Sequence, residues 1–457
     1  MSRRAGQLDG CSRTDITGLR QACLAGGRVR RARTSLHSEE VTFTSVSATK
    51  FVQCTHSWRA AADGSRHSLG HALRKNAMDA ILKRKRTGSI TRRTLMQSLV
   101  GLAGSGISTK PSPAGETTIA PSEGLRAHAE RRGLLFGCAV QKRLLDENAE
   151  LKAAVIREVG ILVAENEMKW RPLQPEARPV DYRRADAIVD FSKMNGMTMR
   201  GHTAVWHQNP PVWAEALLTG PGGAKLMLDH VRTVVGHFKG RILEWDVVNE
   251  AIEPTDDRDD LLRAWPLYEK GGYDFIADCF HAAHEADPNA RLVYNDYDLE
   301  YDTRPQALRR KGTLRLLGEL KRRNAPIHGL GIQSHLTIGN RFNDRVFRQF
   351  LAEVAGMDLR ITLTEMDLSD RRLEGSTRYR DEKVAEAASQ FLSVAFDEPS
   401  TTGVLTWGLS DRFSWLNEGR PRSDRGIQRS LPLDENYVRK PVWAAMAACF
   451  DNAPPRR

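Results

Sequence analysis

From about residue 130 to the C-terminus the sequence predicts a single α/β domain, a (β/α)8 TIM barrel. Three observations carry that prediction. Eight short apolar runs alternate with longer amphipathic ones, no block of sequence repeats, and residues with reactive side chains cluster just past the ends of the apolar runs. A parallel barrel requires the last of these, because its site is built on the face formed by the C-terminal ends of the strands.

The strands are expected at 134–140, 161–164, 198–205, 242–248, 291–295, 329–332, 359–364 and 403–407. These are short runs of the kind that a sheet covered on both faces can bury. Helices are expected between them at 185–194, 226–238, 275–286, 308–323, 344–355 and 381–396, where apolar residues recur at the spacing of one helix face. Strands separated in this way by helices pair in parallel, and eight of them close on themselves.

Charge separates the barrel from what precedes it. The 457 residues hold 68 Lys+Arg against 57 Asp+Glu, a formal charge of +11. Residues 1–113 hold 20 basic against 6 acidic residues, and the remainder 48 against 51. A strongly basic chain ordinarily points to nucleic acid or anionic lipid. Here the excess is confined to the leader, so the body has the near-neutral surface of an enzyme acting on an uncharged substrate, and nucleic acid is not an expected partner.

The leader divides in three. Residues 1–77 lack sustained periodicity and are read as disordered, or as an extension ahead of the true start. Residues 78–113 run from Met78 through Lys83-Arg84-Lys85-Arg86 and Thr91-Arg92-Arg93-Thr94 into a mildly apolar stretch, 95–107. A charged region, a twin arginine and a modest apolar segment make a bacterial twin-arginine export signal, with Met78 as the expected initiator. Residues 114–129 complete a linker whose Pro-, Ser-, Gly- and Thr-rich part is 108–124. The expected product is a secreted or periplasmic monomer that leaves the membrane once the signal is removed. No stretch approaches the ~20 apolar residues of a membrane span.

Of six cysteines, Cys11, Cys23 and Cys54 lie in the leader and Cys138, Cys279 and Cys449 in the body. None has metal-ligand spacing, so neither a metal nor a cofactor is expected. Cys138 reads as a small buried apolar residue. A disulfide, Cys279 with Cys449 for instance, remains open in an exported protein.

The chemistry begins with two glutamates. Glu250 ends Trp245-Asp246-Val247-Val248-Asn249-Glu250 at the tip of the fourth strand, and Glu365 stands in Thr364-Glu365-Met366-Asp367 at the tip of the seventh. Two carboxylates so displayed are what a retaining glycosidase needs: one protonated, to donate to the leaving oxygen, and one ionised, to attack the anomeric carbon. Capping a strand and pairing with arginine would explain either glutamate alone. The other strand ends argue against that reading. They carry Glu165-Asn166-Glu167-Met168-Lys169-Trp170, Gly201-His202-Thr203-Ala204-Val205-Trp206-His207, Asn295-Asp296-Tyr297-Asp298, Gln333-Ser334-His335-Leu336, and Trp407-Gly408 with Ser414-Trp415.

This ordered set, from about Phe136 to Trp443, resembles family 10 of the glycoside hydrolases, the endo-1,4-β-xylanases. The resemblance implies xylan and xylo-oligosaccharides as substrates and double displacement through a covalent glycosyl-enzyme, with the two carboxylates ~5–5.5 Å apart. It implies Glu250 as acid/base, Glu365 as nucleophile, Asn249 as the partner of the sugar 2-hydroxyl, and His335 with Asp367 as the pair that orients the nucleophile. It also implies that Glu165, Asn166 and Lys169 clamp the non-reducing sugars, with His202 at the cleavage point. Gln333 and Asn209 join the binding set, and Tyr297 shapes the leaving-group side. Trp206, Trp407 and Trp415 are expected stacking platforms, since sugars present flat C–H faces to aromatic rings; Trp170, Trp213 and Trp245 are read as core.

Three positions depart from the family pattern. Asn209 stands where glutamine is usual, Asp298 where the fifth-strand motif commonly ends in asparagine, and Met366 where leucine is common. No separate carbohydrate-binding module is evident. The alternatives are a retaining β-glucanase or aryl-glycosidase on the same barrel and a non-catalytic sugar-binding protein. The last characteristically lacks a catalytic carboxylate, and this chain has both.

Overall fold

The computed structural model describes residues 123–456. The expectations for 1–77, for the signal segment 78–113 and for most of the linker lie outside the described residues. Nine strands form one sheet: β1 (Leu135–Val140), β2 (Ile161–Ala164), β3 (Thr198–Trp206), β4 (Glu244–Asn249), β5 (Arg291–Asp296), β6 (Gly329–Ile332), β7 (His335–Thr337), β8 (Arg360–Ser369) and β9 (Thr401–Thr406). Neighbours pair in parallel from β1 to β6, β6 pairs with β8, β8 with β9, and β9 returns to β1. That closes an eight-stranded barrel, the expected fold.

The extra strand, β7, is the sixth one resumed. Ser334 takes φ 62, which breaks the strand after Gln333. The chain then pairs again, His335 with Asp367, Leu336 with Leu368 and Thr337 with Ser369. This extra partner carries β8 on to Ser369, past the expected end at 364.

Burial on both faces explains the composition of the strands. Every residue of β2 and β4 is buried, including Glu244 and Asp246. An unpaired buried carboxylate would cost several kcal/mol, and both are paired. Arg200 of β3, fully buried itself, bonds Glu244 through Nη1 and sets Nε 3.3 Å from Asp246 Oδ2. Charge inside this barrel is therefore neutralised by the neighbouring strand rather than by water.

All six expected helices are present, at Arg183–Met194, Gly223–His237, Pro266–Ala286, Arg304–Arg322, Asp344–Ala355 and Thr377–Asp397. Pro266–Ala286 begins earlier than expected because two helices join across Gly272 (φ 51, ψ −139), a conformation that glycine adopts without steric cost. Helix Ala149–Glu158 has a capping asparagine, Asn148, whose side chain accepts from Leu151 N. Helix Leu125–Glu130 lies, but for its last residue, inside the stretch expected to be linker. Its Leu125 and Ala129 are fully buried, so the folded unit starts ahead of residue 130.

Cys138, Cys279 and Cys449 are buried and free, which corrects the open Cys279–Cys449 disulfide. Cys449 Sγ instead lies 3.7 Å from the carbonyl of Ser389. Among the described residues no helix is long and apolar enough to cross a membrane.

Candidate active site

Register changes near the C-terminal ends of the strands place the reactive side chains. β3 gains a residue on β4 between His202 and Val205, β4 gains one on β5 between Asp246 and Val248, and β8 gains one on β9 between Leu363 and Met366. Such bulges turn a strand locally and re-aim its side chains. Glu250 follows β4 directly at φ 58. A left-handed glutamate costs on the order of 1–3 kcal/mol, and neighbours hold it there. Its N–H donates to Asn295 O at 2.9 Å and its carbonyl accepts from Arg263 Nε at 2.9 Å.

Glu250 is 8% exposed, and its carboxylate receives three donors. Oε1 accepts from Asn249 Nδ2 and Gln333 Nε2, both at 3.0 Å, and Oε2 from Trp206 Nε1 at 2.9 Å. Glu365 lies across the site, its N–H on Gln333 O at 3.0 Å. Its Oε1 accepts from Asn295 Nδ2 at 2.8 Å, and Oε2 is 3.4 Å from His335 Nε2. His335 Nδ1 is 3.1 Å from Asp367 Oδ2, which also accepts Trp415 Nε1 at 2.7 Å.

Asn295 joins the two carboxylates. Besides Glu365, its Nδ2 donates to Asn249 Oδ1 at 2.9 Å, and its own Oδ1 accepts from Thr364 Oγ1 at 2.7 Å. Sequence reasoning placed Asn295 in the fifth-strand motif and gave it no role. The available signal was its place at the end of β5, paired in register with Asn249 of β4. Gly331 of β6 makes the room: a Cβ there would meet Asn295 Oδ1 at 2.2 Å.

Electrostatics separate the groups. Burial alone would raise the Glu365 pKa; the hydrogen bond from His335, with the charges of His202, His335 and Lys169, overrides it and brings the value down to about 2. Burial likewise opposes charge on His335, and Asp367 and Glu365 together push it up to about 10. Glu365 is thus a carboxylate beside an imidazolium over a wide pH range.

Known proteins share this architecture. Residues 124–449 match the family model described as glycosyl hydrolase family 10. The chain belongs to glycosyl hydrolase family 10. The endo-1,4-beta-xylanase B of Thermotoga neapolitana is 33% identical over 329 residues, covering 70% of this chain and 90% of that protein. A beta-1,4-xylanase of Dictyoglomus thermophilum is 37% identical over 263 residues, covering 56% and 72%. The crystal structure of native xylanase 10B from Thermotoga maritima superposes with a TM-score of 0.64 at 33% identity, covering 72% of this chain and 98% of that one. Xylanase 10B from Thermotoga petrophila RKU-1, in complex with xylobiose, gives 0.63 at 32% identity, covering 72% and 97%.

Around the carboxylates of this family 10 chain, Lys169 is 7% exposed, with Nζ 5.0 Å from the Trp206 ring and 5.8 Å from the Trp407 ring. Burial lowers its pKa while Glu365, Glu165 and Glu250 oppose the shift. Asn166 Oδ1 accepts from Lys169 Nζ at 3.3 Å, and Glu165 Oε1 accepts from Gln141 Nε2 at 3.0 Å. Burial raises the Glu165 pKa, against Gln141 and Lys169. His202 Nδ1 sits 2.9 Å from Asp246 Oδ2, and its ring stands edge-on to Trp407 at 5.4 Å. The side chains of Glu165, Lys169, His202, Trp206 and Trp407 therefore gather on the side of the site built by β2, β3 and β9.

Other residues on the expected binding list have protein partners of their own. Asn209 Oδ1 accepts from the backbone N–H of Arg171 at 3.0 Å, so its polar end braces a loop. Gln333 holds Glu250. Tyr297 OH lies 3.1 Å from both Arg263 Nη2 and Glu253 Oε2, with Arg309 4.1 Å from its ring. Asp298 is exposed at φ 54 and accepts from Gln306 Nε2 at 3.1 Å, and Met366 is fully buried. Trp245 is fully buried, and Trp170 packs edge-on to Trp213 at 5.9 Å, as core residues do.

Proposed function

We infer that this chain is an endo-1,4-β-xylanase that cuts internal xylan bonds with retention. One observation carries the assignment of roles: two buried carboxylates, tied together through Asn249 and Asn295, stand in different surroundings. Glu365 is held ionised by His335 and attacks the anomeric carbon. As the glycosidic C–O bond breaks, Glu250 gives its proton to the departing oxygen, and a covalent ester joins the sugar to Glu365. Water then attacks the same carbon while Glu250 takes its proton, and breaking the ester restores the Glu365 carboxylate. Asn249, bonded to Glu250 directly and linked to Glu365 through Asn295, serves the sugar 2-hydroxyl, a contact that strengthens as positive charge develops on the ring. Glu165, Asn166, Lys169 and His202 hold sugars on the non-reducing side, and Trp206, Trp407 and Trp415 supply the aromatic walls.

Product analysis tests the reading. The purified protein is incubated with linear β-1,4-xylan, carboxymethylcellulose and barley β-glucan. A ladder of xylo-oligosaccharides, with little from either glucan, is the expected result. Products from the glucans alone would reassign the substrate while keeping the barrel, and binding without products would leave a sugar-binding protein.

The protein is also proposed to be a monomer exported in bacteria by the twin-arginine route, a reading supported by Arg92-Arg93 and the segment behind it. Replacing both arginines by lysine should retain the precursor in the cytoplasm, and undiminished export would refute it.

A further inference from the structure

We propose that the N-terminal face of the barrel, opposite the catalytic end, carries a binding site for a small multivalent oxyanion of the phosphate or sulfate class. A cavity of about 470 Å³ opens there at the starts of β5, β6, β8 and β9. Arg291 opens β5 and Arg360 opens β8, while His328 and Ser400 stand just before β6 and β9. The parallel ladder sets these four side by side. His328 N donates to Leu292 O at 2.8 Å, Arg360 N to His328 O at 3.0 Å, and Ile361 N to Ser400 O at 2.9 Å. Lys321, from the last turn of helix Arg304–Arg322, adds a third full cation to the lining.

Some arginines of the body stand against carboxylates, as Arg232 does on Glu285 and Arg323 on Asp274. Among the described residues, Arg291, Lys321 and Arg360 have no ion-pair partner, and the buried Nε of Arg291 has no hydrogen-bond acceptor. Glu244, the carboxylate that acts on Arg291, is already bonded to Arg200. The lining holds one carboxylate, the exposed Asp358. His328 registers the same excess of positive charge. Its Nδ1 accepts from Leu292 N at 2.9 Å, and its pKa is lowered by burial and then by His284, Arg291 and Arg360.

The chemistry of the lining selects the ligand. Guanidinium forks match the oxygens of a tetrahedral oxyanion, and Lys321 and Ser400 supply further donors. A neutral sugar would gain little here, since the lining has no tryptophan, tyrosine or phenylalanine to stack on. A doubly charged anion would instead offset the repulsion among cations that the strand register holds close together.

Isothermal titration of the full chain with sodium phosphate, and separately with sodium sulfate, tests the site. Ionic strength is held constant with sodium chloride, and Arg291→Gln and Arg360→Gln are titrated alongside. Thermal shift would mislead, because excluded salts such as sulfate stabilise folds in general. Saturable one-site binding is expected, weakened at least roughly tenfold in each variant, with xylan turnover unchanged because the cavity lies at the far end of the barrel. Arg360 is exposed, so its variant should fold whatever happens to Arg291→Gln. Binding of unaltered strength in both variants would place the anion elsewhere. No saturable heat up to tens of millimolar would leave only a solvated basic surface. Either result overturns the proposal.

Discussion

At the residue scale the two carboxylates make opposite demands, and each has a direct test. Glu250 is needed as an acid only where the leaving group is poor. Glu250→Ala should therefore lower kcat/KM on xylan by roughly 10²–10⁴-fold while sparing activated aryl xylosides, whose leaving oxygen needs little proton. Equal losses on both substrates would count against the acid role. Glu365 depends on His335 for its low pKa. Removing the imidazolium with His335→Asn takes away a charge that favours the carboxylate, so the Glu365 pKa must rise. The acid limb of the pH profile of kcat/KM should then move upward from about pH 2, where Glu365 protonates in the native protein. The profile should be taken on an aryl xyloside, with circular dichroism marking where the fold holds. An unmoved limb would show that His335 does not govern the nucleophile.

At the element scale, β6 decides whether Asn295 can stand between the carboxylates. Gly331→Ala puts a methyl group 2.2 Å from Asn295 Oδ1 and 2.9 Å from Thr364 Cγ2, and overpacking of this kind costs about 1–3 kcal/mol. The variant should lose thermal stability and turnover together, because the asparagine that moves also bonds Glu365 and Asn249. Unchanged kcat with a lowered Tm would confine Asn295 to packing. The same elements show what the sequence could reveal. Strand positions and both glutamates were legible because fully buried parallel strands are short apolar runs and because barrel chemistry follows their ends. Asn295 was not, since an asparagine at a strand end looks the same whether it faces water or two carboxylates; only its register against Asn249 separates the cases. Asn209 was ambiguous for a related reason. Its amide could reach a sugar or a neighbouring backbone, and the backbone of Arg171 is where it lies. The resumed sixth strand was hidden in three residues, His335–Thr337, too few to show a pattern of their own.

At the scale of the whole molecule, one buried carboxylate ties the start of the folded unit to its end. Glu158 is fully buried at the end of helix Ala149–Glu158. Its Oε2 accepts from Leu125 N at 3.1 Å and Trp443 Nε1 at 2.9 Å, and its Oε1 from Arg157 Nε and Arg439 Nη2, both at 2.8 Å. Three segments far apart in sequence thus meet on one side chain: the first helix, Leu125–Glu130; the helix before β2; and the C-terminal helix, Pro441–Asn452. Burial would raise the pKa of Glu158, but the hydrogen bonds from Arg157, Trp443 and Arg439 outweigh it and hold the carboxyl below its ordinary range. A carboxylate whose pKa is lower folded than unfolded stabilises the fold above its unfolded value, near pH 4.3, and that contribution fades as pH falls through the folded value. Glu158→Gln removes the charge and sets an amide NH2 against two arginines, so about 3–5 kcal/mol of stability should be lost near neutral pH, the usual cost of breaking a buried pair. Because the native carboxyl protonates in acid and the glutamine cannot, the difference in unfolding free energy between the two proteins should narrow as pH is lowered below about 4. Urea unfolding at pH 7 and at pH 3.5 measures both. A gap that stays constant between the two would assign the loss to packing rather than to the charge.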